Sequence, residues 1–384
     1  MADAALDRLV DQIQTARAAK ASLDIRGGGT KAFYGEGRQG EPLDVTPLAG
    51  ISSYEPSELV VTVRAGTPLA ELEAVLAEQG QWLPFEPPHF GDGGTNQSTV
   101  PPAGGTNQST VPPAGGTVGG MVAAGLAGPA RASAGGVRDY VLGATLINGR
   151  AEVLSFGGQV MKNVAGYDVS RLLAGSMGVL GVIAEVSLKV LPLPVATATL
   201  RFELDQAAAL LKLNQWGGQP LPLSASAWWD GMLVLRLAGA RAAVDAACAT
   251  LGGEAIDPAL AAGFWQGLRD QRDEFFVGAL KAVQGGATLW RLSVPQTAPP
   301  LALSGEQLIE WGGAQRWLCT STPAAQLREA AAAVGGHAVL FRGADKSAGV
   351  FAPLAPAQER IQRQLKAAFD PEGVFNRGRL YPWL

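Results

Sequence analysis

The chain has 384 residues, of which 50 are glycine, nearly twice the usual share of ~7%; charged residues make up 17% and the formal net charge is −4. Two cysteines, Cys248 and Cys319, are too few for a four-thiolate iron–sulfur cluster or a disulfide framework. The two histidines, His89 and His337, lie far apart without metal-type companions, and the acidic balance gives no footprint for nucleic acid.

At roughly 100–200 residues per domain the length predicts two or three domains, and a hydrophobic fraction of 47% is ample for their cores. Residues 1–8 carry early acids and no apolar signal core, which predicts a cytoplasmic protein. The long uncharged stretch 93–130 is broken by Pro101, Pro102, Pro112 and Pro113 and never offers ~20 consecutive apolar residues. Any membrane contact is therefore expected to be peripheral, at the inner membrane and through partners.

Residues 2–21 place Leu6, Leu9, Val10, Ile13 and Ala16 on one stripe and predict an amphipathic helix. Residues 22–26 read as a short strand running into Gly27, Gly28, Gly29 and Thr30, and residues 43–46 and 59–63 as further strands. A helix follows, with Thr67 as its N-cap, Pro68 in its first turn, Leu69, Leu72, Val75 and Leu76 on one face, and Gly80 as its stop. Next, the eleven residues 93–103, GGTNQSTVPPA, recur letter for letter as 104–114. Two copies of so short a unit are not a solenoid, and their composition predicts a flexible surface loop that arose by tandem duplication.

Residues 118–126 read as a small-residue helix, and residues 140–147 as a strand paired across Asn148-Gly149 with residues 153–156. A helical piece at 169–173 precedes a long strand at 181–191, and Pro192 with Pro194 marks a boundary. Beyond it, strands at 197–202, 233–237, 289–294 and 316–320 alternate with Ala-rich helices, predicting an antiparallel α+β unit. Trp228 and Trp229 read as a strand end at a turn, Trp265, Trp290, Trp311 and Trp317 as core or subunit interface, and the cysteines as small core residues. A last helix at 354–369 leads into Asp370-Pro371-Glu372-Gly373.

Glycine gathers in four places. Gly27, Gly28 and Gly29 after a strand expose successive N–H groups, which read equally as a tight turn or as a nest for phosphate oxygens. Gly115-Gly116-Thr117-Val118-Gly119-Gly120 opens a helix, whose N-terminus favours anions, although small-residue packing would also explain it. The others are 135–143 and the run from 161 to 183. Neither the Rossmann nor the P-loop fingerprint is present at the first cluster.

The series R-G-G-G-T at 26–30, G-G-T-V-G-G at 115–120, V-R-D-Y-V-L-G at 137–143, K-N-V-A-G-Y-D at 162–168 and G-S-M-G-V-L-G-V-I at 175–183 resembles the FAD-binding domain of the p-cresol methylhydroxylase/vanillyl-alcohol oxidase family. More narrowly, residues 156–172 resemble the FAD-binding subunits of glycolate oxidases, and F-D-P-E-G-V-F-N at 369–376 matches the closing motif of the family. The resemblance implies an α+β fold: a two-subdomain FAD-binding domain at 1–194, a smaller α+β cap or substrate domain at 195–350, and a C-terminal segment at 351–384 returning to the FAD site. It also implies that Arg26, Gly27, Gly28, Gly29 and Thr30, with Gly116, Thr117, Gly119 and Gly120, cradle the pyrophosphate. Gly178, Gly181, Val182 and Ile183 would line the adenosine end, and Arg138 and Asp139 would brace the second loop. Gly166, Tyr167 and Asp168 would sit toward the isoalloxazine, with Asn376 returning to the flavin pocket.

Two departures sharpen this. Thr30 stands where covalently flavinylated members often place a histidine, so non-covalent FAD is expected. The histidine cluster of catalytic relatives is absent from 195–350, where His337 stands alone and is read as structural. The resemblance thus implies a small 2-hydroxy acid substrate, glycolate oxidised to glyoxylate, and two partners: a second FAD-containing catalytic subunit and an iron–sulfur subunit. The competing expectations are a structural subunit with inert FAD and a stand-alone flavin oxidoreductase, for which no nicotinamide fingerprint exists.

Overall fold

In the computed structural model, residues 3–91, 115–158 and 167–384 are described; the duplicated stretch 93–114 and the segment 159–166 lie outside the described residues. Among the described residues no helix is long and apolar enough to cross a membrane.

The first half of the chain is organised on a five-stranded antiparallel sheet. Its order across the sheet is Ile51–Glu55, Val60–Arg64, Val182–Lys189, Val141–Ile147 and Val153–Gly157. Strand alternation decides what each face meets. Val61, Val63 and Ala65 are fully buried in one cluster with Leu69, Leu72 and Leu76 of helix Leu69–Glu78 and with Val118, Met121 and Val122 of helix Val118–Ala124. Each of the Val, Leu and Met side chains contributes about 1.5–3 kcal/mol by leaving water. Thr62 points the other way, where its hydroxyl meets that of Ser187 at 2.8 Å. Val182 and Ala184 also leave the first cluster, and pack with Leu9 and Ile13 of helix Ala4–Ala18.

Beside this sheet, Leu23–Arg26 and Glu41–Asp44 form a two-stranded parallel pair. The long helix predicted at the N-terminus is there, capped by the Asp3 carboxylate, which accepts the N–H groups of Ala5 and Leu6 at 3.2 Å. Thr67 is not the cap of the next helix, which begins at Leu69 behind Pro68. Its hydroxyl is spent closing the preceding turn, donating to the Arg64 carbonyl at 2.7 Å and accepting the Gly50 N–H at 2.9 Å.

Past Pro192 and Pro194 the chain builds an eight-stranded antiparallel sheet. Its order is Glu254–Ala255, Ala196–Glu203, Met232–Gly239, Leu223–Trp229, Glu306–Glu310, Gln315–Thr320, Thr288–Ser293 and His337–Arg342. Each half threads its four strands as four-one-three-two, the split βαβ pattern. The second half lacks one crossover helix, because residues 294–305 run directly between strands. Four of these strands escape the sequence reading: they are short, or, like Leu223–Trp229, rich in Ser and Ala rather than β-branched residues. Trp229 and Met232 flank a two-residue hairpin, with Asp230 and Gly231 at φ of 46° and 76°, as a primed turn requires.

One face of this sheet packs on elements of the first half of the chain. Trp317, Phe341 and Val339 share a core with Phe276 and Trp265 of the inserted helices Pro258–Arg269 and Glu274–Gln284, and with Tyr34, Phe90 and Leu126. Trp265, Trp290, Trp311 and Trp317 are each no more than 8% exposed, so all four are core residues.

The last helix, Pro356–Phe369, pins the C-terminal tail back onto the first half. Lys366 Nζ donates to the Asp370 carboxylate at 2.8 Å and to the carbonyls of Val179 and Phe375 at 2.7 and 3.0 Å. Asp370 in turn accepts the N–H groups of Val374 and Phe375 at 2.8 Å. Removing one partner of such a buried pair leaves the other charge uncompensated. Lys366→Met is expected to lower stability by about 3–5 kcal/mol in urea unfolding; a loss under about 1 kcal/mol would show that the pair does not hold the tail.

Candidate functional site

The strand Leu23–Arg26 delivers the chain into Gly27–Lys31 at the mouth of a cleft, and Gly115–Gly120 forms the facing wall. The two loops cross in contact. A Cβ on Gly28 would lie 2.7 Å from the Gly115 carbonyl oxygen, and one on Gly27 would strike the Thr117 hydroxyl. Gly119 is excluded from bearing a side chain by Ala65, whose Cβ would be 2.6 Å away. Gly29 serves a different need: it has open space around it but φ of +71°.

Close crossing leaves the first loop's amides with nothing else to do. Among the described residues, the N–H groups of Gly28, Gly29, Thr30 and Lys31 donate to no acceptor. Four successive free donors form an anion-binding nest. In the second loop, Thr117 caps its helix by accepting the Gly120 N–H at 3.2 Å, while Val118 and Gly119 donate to the Thr67 and Ala65 carbonyls. That loop is therefore anchored to the end of strand Val60–Arg64.

Charge reinforces the nest. Asp24 is buried and holds Arg26 and Arg38, each with a nitrogen 2.9 Å from its carboxylate. Arg379 donates to the carbonyls of Ala32, Tyr34 and Glu36, and burial pulls its pKa down to about 10. Lys31 also faces the cleft, and desolvation lowers its pKa to about 8. Against one carboxylate, the cleft thus presents four cations. Val45, Ala65, Ala123, Ala124, Met177 and Ile183 supply the apolar remainder of a wall around about 810 Å³ of solvent-open space.

Of the residues expected from sequence, Arg26, Gly27, Gly28, Gly29, Thr30, Gly116, Thr117, Gly119, Gly120, Gly178, Gly181, Ile183 and Asn376 come together in this cleft. Asn376 spends its amide on the backbone, accepting the Ile25 N–H at 2.8 Å and donating to the Met177 carbonyl at 2.7 Å. It clamps the strand to the loop before Gly178, where a Cβ would meet its Nδ2 at 2.6 Å. Val182 alternates away from Ile183 into the core behind. Arg138 and Asp139 are exposed and do not line the cleft; Asp139 instead accepts the Gly136 N–H at 2.8 Å. Tyr167 is 94% exposed, Asp168 pairs with Arg171 at 3.2 Å, and Gly166 lies outside the described residues.

Asp24, Lys31, Arg38 and Arg379 escaped the sequence reading. Lys31, directly after G-G-G-T, was the one with a positional signal; Arg38 and Arg379 arrive only through folding. The His89 ring is committed to Glu73, 3.0 Å from its Nε2, and the His89 backbone N–H donates to Asp270. His337 starts an edge strand and is exposed. Beyond the cleft, Glu310 is a buried carboxylate under the eight-stranded sheet. Burial pushes its pKa to about 7, against hydrogen bonds from Trp317 and Gln315 at 2.6 and 3.0 Å.

A family model for an FAD binding domain matches residues 5–111. Glycolate oxidase subunit GlcE of Escherichia coli (strain K12) is 46% identical over 373 residues, covering 97% of this chain and 96% of that protein. The chain belongs to the GlcE family of glycolate oxidase subunits. It carries an FAD-binding domain and is an FAD-dependent oxidoreductase subunit. A D-lactate dehydrogenase of Anaerostipes hadrus is 29% identical over 161 residues, covering 42% of this chain and 29% of that protein. The solved alkyldihydroxyacetonephosphate synthase has a TM-score of 0.59 at 14% identity, covering 96% of this chain and 74% of that one, which shows a shared fold.

The cleft fits the cofactor of the GlcE family on its own terms: free amides, an excess of cations and glycines whose side chains would fill the space. Gly28→Val should weaken FAD binding roughly tenfold or more, since backbone must move to admit it. Gly29→Ala, strained but unobstructed, should cost about 1–2 kcal/mol of folding stability and leave FAD affinity within about threefold. Titration of the deflavinated chain, followed by flavin fluorescence, checks both; equal losses would contradict the steric account.

Proposed function

We propose that this chain is the FAD-binding subunit of a multi-subunit glycolate oxidase or dehydrogenase that converts glycolate, a 2-hydroxy acid, to glyoxylate. The observation that carries the reading is the cationic glycine cleft in a chain similar to GlcE along almost its whole length. When bound, FAD would supply two-electron oxidation at the hydroxy acid's α-carbon. Residues of this chain bind and orient it: Gly28–Lys31 through their amides, Arg26 and Arg38 through charge held in place by Asp24, and Asn376 by fixing the loop beside Gly178.

Two cysteines, one buried and one half-buried, cannot carry an iron–sulfur cluster onward. Electrons are proposed to leave through a partner, and an iron–sulfur subunit is the partner proposed. A second FAD-containing subunit is proposed to hold the principal substrate site, because the eight-stranded sheet contributes only an exposed histidine, His337. Binding of FAD is proposed to be non-covalent: Thr30, buried at the nest, offers no imidazole for attachment. Residues 1–194, 195–350 and 351–384 are proposed as cofactor domain, cap and returning segment.

The same shortage of histidine supports a second reading, in which this chain's FAD is inert and the chain is a scaffold. Burial of Trp265, Trp290, Trp311 and Trp317 removes the apolar platform that reading would use. Assembling the complex with the Gly28→Val chain separates the two. Active FAD here predicts loss of glycolate-dependent reduction of the electron acceptor; full activity in an assembly lacking this flavin would leave only the scaffold.

A further inference from the structure

Lys31 is a cleft residue without an assigned task. Arg26 and Arg38 hold Asp24, and Arg379 holds three loop carbonyls, whereas among the described residues Lys31 Nζ donates to no acceptor. Its position is defined by the crossing of the two loops: a Cβ on Gly116 would lie 2.8 Å from Nζ and 3.2 Å from the Thr30 hydroxyl. The ammonium also sits 5.9 Å from the centre of the Phe90 ring, with the Arg342 guanidinium 5.7 Å from that same ring. Among the described residues no carboxylate is paired with it.

We infer that Lys31 is a counter-charge of the bound dinucleotide, its ammonium pairing with the diphosphate where the two glycine loops meet. The inference rests on FAD binding and not on glycolate as substrate. A desolvated, unpaired ammonium is a costly arrangement. A diphosphate lying on the amides of Gly28–Lys31 removes that cost, since it brings negative charge to a cleft cation that donates to no acceptor among the described residues. Among the described residues, the charged groups around Lys31 are Arg26, Arg38, Asp24 and Arg379 in the cleft and Arg342 across Phe90. Their balance is positive, so none of them substitutes for the anion.

The titration of Lys31 gives this a sign. Its pKa in the free chain is lowered to about 8 by desolvation, and an anion bound beside it must raise that value. Binding then takes up a proton above pH 8, and affinity falls as pH rises through that range.

The experiment titrates the deflavinated full-length chain with FAD and, separately, with ADP, which has the diphosphate but no flavin. Lys31→Met should weaken both ligands by the same factor, roughly tenfold or more. Wild-type affinity should fall between pH 7.5 and 9.5, while Lys31→Arg, which stays charged, should remain tight and flat over that interval. Unchanged FAD affinity in Lys31→Met would overturn the inference. So would a loss confined to FAD with ADP unaffected, which would place Lys31 against the flavin ring. The wild-type pH series requires no variant to fold, and a flat wild-type profile also counts against it.

Discussion

Where Gly28 passes Gly115, two backbones meet with no room for a side chain between them, and the remainder of the site is arranged around that contact. The first loop follows a short parallel strand pair and the second is hydrogen-bonded to Ala65 and Thr67 at the end of strand Val60–Arg64, so their crossing ties the strand pair to the five-stranded sheet. It also consumes the space in which other groups would have satisfied the first loop's amides. What is left is a row of free N–H donors beside cations, an arrangement complete only with an anion.

Several other features serve to hold that crossing. The Thr67 and Ala65 carbonyls fix the second loop, and Asn376 ties the first strand to the Met177–Gly178 turn. Asn376 is brought there by the Lys366–Asp370 pair, which turns the tail back after its last helix. A sequence separation of about 350 residues between Ile25 and Asn376 is thereby closed by one side-chain amide. The eight-stranded sheet closes the other side through Trp317, Phe341 and Phe90, and buries Glu310 there with two donors.

The glycine loops and the five-stranded sheet were legible because their signals are local. Three glycines after a strand, or alternation at Val61 and Val63, state their own geometry. Thr67 was misplaced as a cap because its competing partners, Gly50 and Arg64, are chosen by the turn and not by the helix it precedes. Half of the larger sheet was missed for a related reason: Leu223–Trp229 is made a strand by its neighbours, not by its own composition. The cationic wall was harder still. Arg38 and Arg379 lie far apart in sequence and meet at Asp24 and the 32–36 carbonyls only in the folded chain. Arg138 and Asp139, expected to brace the second loop, and Tyr167, expected toward the isoalloxazine, are exposed.

The central claim is that FAD is held by the free amides of the first loop facing the anchored second loop. Amide hydrogen exchange of the deflavinated chain, with and without added FAD, tests it most directly. The account predicts that FAD slows exchange strongly at Gly28, Gly29, Thr30 and Lys31, and leaves the central strands of the eight-stranded sheet unchanged. Unaltered exchange across Gly28–Lys31 on saturation with FAD would contradict it.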